Sequence, residues 1–161
     1  MAKQITTYSQ LFNYQMKIAR IALQKTADEV IENVIKKYIM DNWYNEHTPE
    51  SYTRTYDYIN SLVSSKATQS GNTAEVKIYF DTDRIIPNLI DGELNQHMDI
   101  HGVPFNDLIP LFIEEGVNSP IYSYEGIHVM ENSKKILEQT KYHLHEMCKI
   151  LKQYGLNAIV R

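Results

Sequence analysis

The hydrophobic and polar positions of the first forty residues predict a long helix. From Thr7 or Ser9, either of which is a suitable N-cap, to about Trp43 the chain contains no Gly or Pro. Apolar residues recur at helical spacing as Leu11, Tyr14, Ile18 and Ile21, and then as Leu23, Ala27, Val30 and Val34. Because this stripe drifts around the helix, we predict one long helix or two with a bend, whose stretches contact different partners. Such a helix exceeds the core of a small domain, so we expect part of it to pack on a neighbouring subunit.

Pro49 ends this pattern, and the segment from Pro49 to Ser61 is predicted to be a turn followed by a short aromatic-rich helix or turn. Apolar residues then alternate with polar ones between residues 73 and 80. This alternation, with the turn signal Ser70-Gly71-Asn72 before it, predicts an antiparallel hairpin formed by residues 62–68 and 73–80.

Residues 81–104 contain two prolines and two glycines, which predicts an irregular excursion or a second, smaller hairpin. The segment from residue 105 to 115 is predicted to be a short helix or a mixture of strand and helix that ends at Gly116, although Pro110 weakens the helical pattern. A strand is expected at residues 121–124.

A second long helix is predicted to begin near Ile127 or Asn132 and to end at the C-cap residue Gly155. Its apolar seam has a spacing of seven residues and consists of Met130, Leu137, Leu144 and Leu151. We interpret the seam as a surface that packs on the sheet, with a helix-helix contact between protomers as the alternative.

These elements predict a single α+β domain over residues 1–161, in which two long helices pack on a small, mainly antiparallel sheet. A chain of this length can bury a core of ordinary size. Residues 1–8 and 156–161 are expected to be flexible tails.

The composition limits the function classes. A formal net charge of -4 argues against a protein whose main task is binding nucleic-acid phosphates. The single cysteine, Cys148, excludes an intrachain disulfide, and we interpret it as a buried, inert thiol. The sequence contains no apolar run that approaches the ~18 residues of a membrane span, so we expect a soluble protein without a membrane partner.

One cluster of residues resembles a set of metal ligands. Glu93, His97, Asp99 and His101 lie within nine residues, and a helix would place His97 and His101 on one face. A metal-dependent hydrolase is therefore the enzymatic alternative. Met98 and Ile100 alternate with these polar residues as in a strand, so we favour a solvated polar face. Without a phosphate-binding glycine loop or a nucleophile motif, we predict no enzyme, no catalytic residue and no cofactor.

Two stretches carry a family resemblance. The first runs from Trp43-Tyr44 through residues 48–55 to Ile59-Asn60-Ser61-Leu62, and the second joins Phe112-Ile113-Glu114-Glu115-Gly116 to residues 126–130. They resemble the "Tyr, Pro-x-x-Tyr-x-Arg-Thr, Asn-Ser-aliphatic" passage and the "aliphatic-Glu-x-Gly" strand end of the tail-component and tail-completion proteins of tailed phages. The matching residues are Tyr44, Pro49, Tyr52, Arg54, Asn60, Ser61, Glu114 and Gly116.

The resemblance implies a structural virion protein that forms a ring at the head-tail junction, joining the connector to the tail or completing the tail tube. Its implied partners are copies of itself and the adjacent connector, tail-terminator or tail-tube proteins, with DNA only passing through the channel. The implied location is the neck or tail region of the virion, and the host cytoplasm during assembly. A non-phage oligomeric adaptor with the same fold is a further alternative.

The segment 81–104 is longer and more acidic than the family pattern. Five acids stand there against Arg84 alone, which gives 5 - 1 = 4 net negative charges: Asp81, Asp83, Asp91, Glu93 and Asp99. In a ring this segment would face the channel and repel DNA phosphates, or would contact a neighbouring subunit. The alternative is a solvated surface loop.

The first motif also has a physical interpretation that needs no family. Arg54 stands among five aromatic residues, on which a guanidinium stacks favourably: Trp43, Tyr44, Tyr52, Tyr56 and Tyr58. We expect these rings to seal the end of the long helix onto the sheet. A single arginine provides too little charge for single-stranded nucleic acid.

Overall fold

The computed structural model of the chain describes residues 5–46, 56–85, 106–118 and 123–160. The helices are α1 (Tyr8–Val30), α2 (Lys36–Ile39), α3 (Asp57–Asn60), α4 (Ile109–Glu115), α5 (Val129–Thr140) and α6 (Tyr142–Gln153). The strands are β1 (Leu62–Ser64), β2 (Thr68–Ser70), β3 (Thr73–Glu75), β4 (Ile78–Phe80), β5 (Gly116–Asn118) and β6 (Ser123–Glu125). The predicted α+β class, with antiparallel strand pairing, is confirmed.

The long N-terminal helix begins where the sequence predicts. Thr7 has extended backbone, and its hydroxyl oxygen accepts a hydrogen bond of 3.2 Å from the backbone N–H of Gln10. The Gln10 side-chain oxygen in turn accepts a bond of 2.8 Å from the N–H of Thr6. This reciprocal arrangement is a variant of the capping box, and it satisfies backbone donors that the first helical turn leaves unpaired.

The long helix contains two π-helical turns, Ile31–Ile35 and Met40–Tyr44, on either side of α2. Buried residues along it recur every four residues from Ile31 through Ile35 to Ile39, and Tyr44 follows five residues after Ile39. In an α-helix a five-residue step turns a side chain about 140° away from the face it left. The π-helical turn at Met40–Tyr44 offsets this rotation, so Tyr44 stays on the buried face. The stripe that drifts in the sequence is therefore continuous in the structure.

The predicted hairpin is confirmed. Leu62 pairs with Phe80 in the β1–β4 ladder, and Ser70 pairs with Thr73 across the turn that joins β2 to β3. Between the two ladders Ser65 continues the pairing, because its N–H donates to the Lys77 carbonyl at 2.7 Å. Strands β2 and β3, which flank this turn, both pack against α1.

A second, smaller ladder follows α4. Pro110 lies in the first turn of α4, where a missing N–H costs nothing, so this proline does not prevent the helix. Gly116, with φ +84°, ends α4 as predicted and begins β5. Gly116 pairs with Glu125 of β6. The predicted strand at 121–124 therefore exists at residues 123–125, and residues 121–122 lie outside the described ranges.

The predicted second long helix is two helices. Lys141, with φ +55°, interrupts it between α5 and α6. Because of this break, the two helices cover different parts of the long helix. Helix α6 packs along α1, whereas α5 packs against the first π-helical turn and α2. Of the predicted seam, Leu137 packs on the core but Leu144 is exposed. The seam is therefore not one continuous packed stripe.

Gly155 is the predicted C-cap and has the expected left-handed backbone, with φ +78°. Its N–H donates to the Lys152 carbonyl at 3.0 Å, and the N–H of Leu156 donates to the Leu151 carbonyl at 3.1 Å. This pair of bonds is the Schellman motif. The end of α6 is therefore confirmed.

The largest hydrophobic core cluster gathers around the C-terminal half of the long helix. Its buried members are Val30, Ile31, Ile35, Ile39, Tyr44, Tyr58, Ile59, Leu62, Ile85, Ile109, Ile113 and Val129. Partly buried side chains of β4, α5 and α6 pack against it, among them Phe80, Leu137 and Tyr142. Among the described helices we find none that is long and apolar enough to cross a membrane.

Candidate functional site

The described residues of the family motif meet in one place, which we call the junction. It is formed by the last turn of the long helix, α3, the end of β4, α4 and the residues that precede α5. Within the described residues, three pairs of aromatic rings line it, with centroids 4.8 to 5.2 Å apart: Tyr58 with Phe80, Tyr44 with Tyr56, and Trp43 with Tyr124. Tyr58 of α3 is stacked on Phe80 of β4, and both pack in the core cluster that contains Tyr44 at the end of the long helix. The described rings therefore seal the helix end onto the hairpin, as predicted.

Glu114 holds the start of α5. One of its carboxylate oxygens accepts a hydrogen bond of 2.9 Å from the N–H of Met130, and its backbone carbonyl accepts one of 3.1 Å from the N–H of His128. His128, the residue before α5, has φ +46° and provides no side-chain cap. A carboxylate at this point also interacts favourably with the positive end of the helix dipole. Glu114 thus serves α5 as an N-cap that comes from another helix.

Gly116 and Gly126 let two backbone segments touch. A Cβ atom on Gly126 would collide with the Glu114 carbonyl oxygen and would lie 2.5 Å from the Gly116 nitrogen. A Cβ atom on Gly116 would lie 2.5 Å from the Gly126 nitrogen. Both atoms are backbone, which moves less readily than a side chain. The "aliphatic-Glu-x-Gly" motif therefore combines a cap for α5 with the close approach that puts the cap in place.

Asn60 and Ser61 close α3 onto the hairpin. The Ser61 hydroxyl is buried and donates to the Tyr58 carbonyl at 2.7 Å. The Ser61 carbonyl accepts a bond of 2.7 Å from the N–H of Asp81, which follows β4. Asn60 is exposed and its N–H donates to the Tyr56 carbonyl at 3.1 Å. This part of the motif fixes a turn.

Tyr58 is the most unusual group in the junction. Its side chain is 3% exposed, and its hydroxyl has no hydrogen-bond partner among the residues that the structure describes. Burial, together with the nearby carboxylate of Glu114, raises the pKa of Tyr58 well above its ordinary value. The hydroxyl therefore stays protonated at neutral pH and does not act there as a base.

Sequence reasoning missed the contact between Tyr38 and Asn132. The Tyr38 hydroxyl donates to the Ile127 carbonyl at 2.9 Å, and the Asn132 amide donates to the Tyr38 oxygen at 2.8 Å. These bonds fix the residues before α5 to the long helix. No sequence signal pairs the two residues, because they are 94 positions apart and neither lies in a recognisable motif.

The described start of the acidic segment contacts the residues that precede α4. The Thr82 hydroxyl donates to the Asp107 carboxylate at 2.6 Å, and the Asn106 amide donates to the Thr82 carbonyl at 3.1 Å. Asp81 forms an ion pair of 3.0 Å with Arg84, the base already subtracted in the net charge of the segment, whereas Asp83 is exposed. Residue 82 and residues 106–107 are therefore held together.

Several predicted site residues lie outside the described ranges. They are the metal candidates Glu93, His97 and His101, the acids Asp91 and Asp99, and the motif residues Pro49, Tyr52 and Arg54. Among the residues that are described, no three His, Cys, Asp or Glu side chains come together in a way that would hold a metal ion. Cys148 is a half-buried thiol on α6.

Among the described residues, two groups of exposed apolar side chains take no part in the ring contacts of the junction. The first, which we call the N-terminal patch, consists of Tyr8, Leu11 and Tyr14 on the opening turns of α1, and Tyr8 is 88% exposed. The second, the α4 patch, consists of Leu108 and Leu111. Scattered exposed apolar residues are normal on a protein surface, whereas contiguous exposed apolar patches are typical of interaction sites.

The fold and its junction define a small α+β protein built on one long helix, whose motif residues hold its own elements together. A family model, YomN, matches residues 7–153, so the chain belongs to the YomN family. This family is phage-derived, and the chain is a phage-associated protein. No curated protein and no solved structure gives a significant match to the chain.

Proposed function

We propose that this phage-associated protein is a structural subunit of a tailed-phage particle. Several copies assemble at the head-tail junction, where they join the connector to the tail or complete the upper end of the tail tube. The protein works by binding, without turnover or a cofactor. Its partners are copies of itself and the neighbouring connector, tail-terminator or tail-tube proteins, and it resides in the virion and, during assembly, in the host cytoplasm.

The observation that supports this proposal most directly is that the motif residues hold the fold together. Tyr44, Ser61, Glu114 and Gly116, which match the tail-completion pattern, all lie in the junction and all make structural contacts. Residues used in this way support a shared architecture and not a shared reaction. The exposed start of the long helix adds a surface suited to a partner.

The acidic segment has a place in this proposal. If the described acid Asp83 and its sequence neighbours face the central channel, repeated copies concentrate a negative field that repels the DNA phosphates. DNA then passes without adhering. This role is a proposal for the segment as a whole, since Asp81 is already paired with Arg84.

The test is a phage that carries an early stop codon in this gene. We expect filled heads and separate tails in electron micrographs of the lysate, and a loss of infectivity by orders of magnitude. Wild-type protein supplied from a plasmid restores joined particles. The conservative Tyr79→Phe variant does so too, because Tyr79 is an exposed residue outside the aromatic cluster of the subunit. Normally joined, infectious particles from the uncomplemented mutant contradict the proposal.

A further inference from the structure

The two exposed apolar patches lie at opposite ends of the long helix. The N-terminal patch precedes Met16, the first buried residue of α1. The α4 patch adjoins Ile109 and Ile113, which belong to the same core cluster as Ile39 near the other end. From Tyr8 to Tyr44 the helix rises by about 50 Å at 1.5 Å per residue. Neither patch can therefore cover the other within one molecule.

The charges around the two patches are complementary. From Ile5 to Met16 the chain contains no charged side chain, and the first turn of α1 has no acid to offset the positive end of its helix dipole. The α4 patch lies between Asp107 and Glu115, both exposed. Pairing two N-terminal patches would bring two positive helix ends together, and pairing two α4 patches would bring acids together. The unlike pairing avoids both repulsions.

We propose that the N-terminal patch of one copy docks on the α4 patch of a second copy of this chain. The contact inserts Tyr8, Leu11 and Tyr14 against Leu108 and Leu111, and sets the positive helix end beside the two acids. Because the two surfaces differ, the association is head-to-tail and leaves one patch of each kind free at its ends. Such a chain of contacts closes into a ring when the rotation between neighbours permits.

This inference rests on the proposed function, because it names the surface through which the copies meet. The two patches are small, and a standard stable interface buries roughly 800 Å² on each partner. A single contact is therefore weak, and association depends on concentration. A closed ring strengthens it, because each copy then makes two contacts.

The test uses two variants of the full chain that each remove one patch. The first carries Tyr8→Ser with Tyr14→Ser, and the second carries Leu108→Ser with Leu111→Ser. Sedimentation velocity is measured for wild type, each variant and their equimolar mixture, up to millimolar concentration. Exposed substitutions rarely change stability by more than about 0.5 kcal/mol, so the variants stay folded, which urea unfolding checks. Tyr79→Ser, at an exposed hairpin position, is the matched control.

We expect wild type and Tyr79→Ser to form larger species as concentration rises, and each patch variant to stay monomeric. The mixture forms a dimer and nothing larger, because the remaining α4 patch of the first variant meets the remaining N-terminal patch of the second. A monomeric wild type, a variant that still associates alone, or a mixture without dimers overturns the inference.

The two experiments separate the two proposals. If the copies associate as expected but the stop-codon phage still makes joined particles, the proposed function is wrong and the contact stands. If heads and tails stay apart in that phage while wild type remains monomeric, the proposed function stands and this contact is wrong.

Discussion

The two ends of the long helix carry apolar residues at helical spacing, yet they differ in what covers them. Near the C-terminal end Ile39 is fully buried, whereas at the N-terminal end Tyr8 is 88% exposed. The covered end is held by the hairpin, α4 and α5 around the junction, and the uncovered end begins before the first buried residue. One helix thus serves the fold at one end and presents an open surface at the other.

The difference indicates a sequence signal that separates apolar residues buried in the core from apolar residues exposed for contact with another molecule. Around α2, charged residues such as Lys36 and Lys37 accompany the buried positions, as expected for a helix with one solvated face. Between Ile5 and Met16 no charged residue accompanies the apolar ones. Hydrophobic periodicity alone gives the same prediction for both ends, and the absence of charge distinguishes them.

The largest expected effect contrasts the two ends directly. Ile39→Ala removes a fully buried side chain from the core and should lower the free energy of unfolding by about 3–4 kcal/mol, as large-to-small core substitutions do. Leu11→Ala, at the exposed end, should change it by less than about 0.5 kcal/mol. Urea unfolding of both variants measures the difference. Equal losses in the free energy of unfolding for the two variants would contradict the contrast between the two ends of the helix.

A smaller effect is expected at the backbone contact of the junction. Gly126→Ala places a Cβ atom against the Glu114 carbonyl, so the backbone must shift, at a cost of about 2–3 kcal/mol in the free energy of unfolding. Gly155→Ala is the control, because its Cβ atom meets open space and only the left-handed backbone costs about 1 kcal/mol. Thermal unfolding of the pair is the measurement. A tolerated alanine at 126 would show that the two segments are not in contact.

The junction should also respond to pH through Tyr58. Its pKa is raised in the folded state, so the unfolded chain releases this proton first, at about pH 10. The contribution of Tyr58 to stability is therefore complete below pH 10 and declines as pH rises above it. Tyr58→Phe should remove this alkaline loss. By deleting a buried hydroxyl that has no partner within the described part of the chain, it should also stabilise the fold by about 1 kcal/mol at pH 7.

Unfolding measured from pH 7 to 11 tests this expectation. Tyr79→Phe, with an exposed ring, provides the control and should retain the wild-type pH profile. A Tyr58→Phe variant that is less stable at pH 7 would indicate that the hydroxyl has a hydrogen bond.

The smallest expected effect concerns the break that lets α5 and α6 cover different parts of the long helix. Lys141 has a left-handed backbone, which glycine adopts without strain, so Lys141→Gly should raise the free energy of unfolding by about 0.5–1 kcal/mol. Lys134→Gly, within α5, should lower it by about 1 kcal/mol. If both changes are equally destabilising, the helix continues through residue 141.

Most element boundaries were predictable because the sequence marks them chemically. Thr7 provides a cap, Ser70-Gly71-Asn72 provides a turn, and Gly116 and Gly155 provide left-handed residues. The break at Lys141 was not predictable, because a lysine with positive φ has no local signal and depends on packing of the flanking helices. The π-helical turns were visible only as a drifting stripe.

The candidate site was predicted in part. The aromatic sealing of the helix end follows from ring content, and Tyr58 and Phe80 confirm it. The role of Glu114 was not predictable, because a cap supplied by another helix requires knowledge of which segments meet. The same holds for Tyr38 and Asn132, whose hydrogen bond joins distant parts of the chain.

The most direct measurement of the central claim is cryo-electron microscopy of purified particles, combined with mass spectrometry of their proteins. The account predicts this chain in the collar between head and tail, in several copies, with the first two turns of α1 covered by a neighbouring subunit. Particles that are complete and infectious but contain no copy of the chain would contradict it.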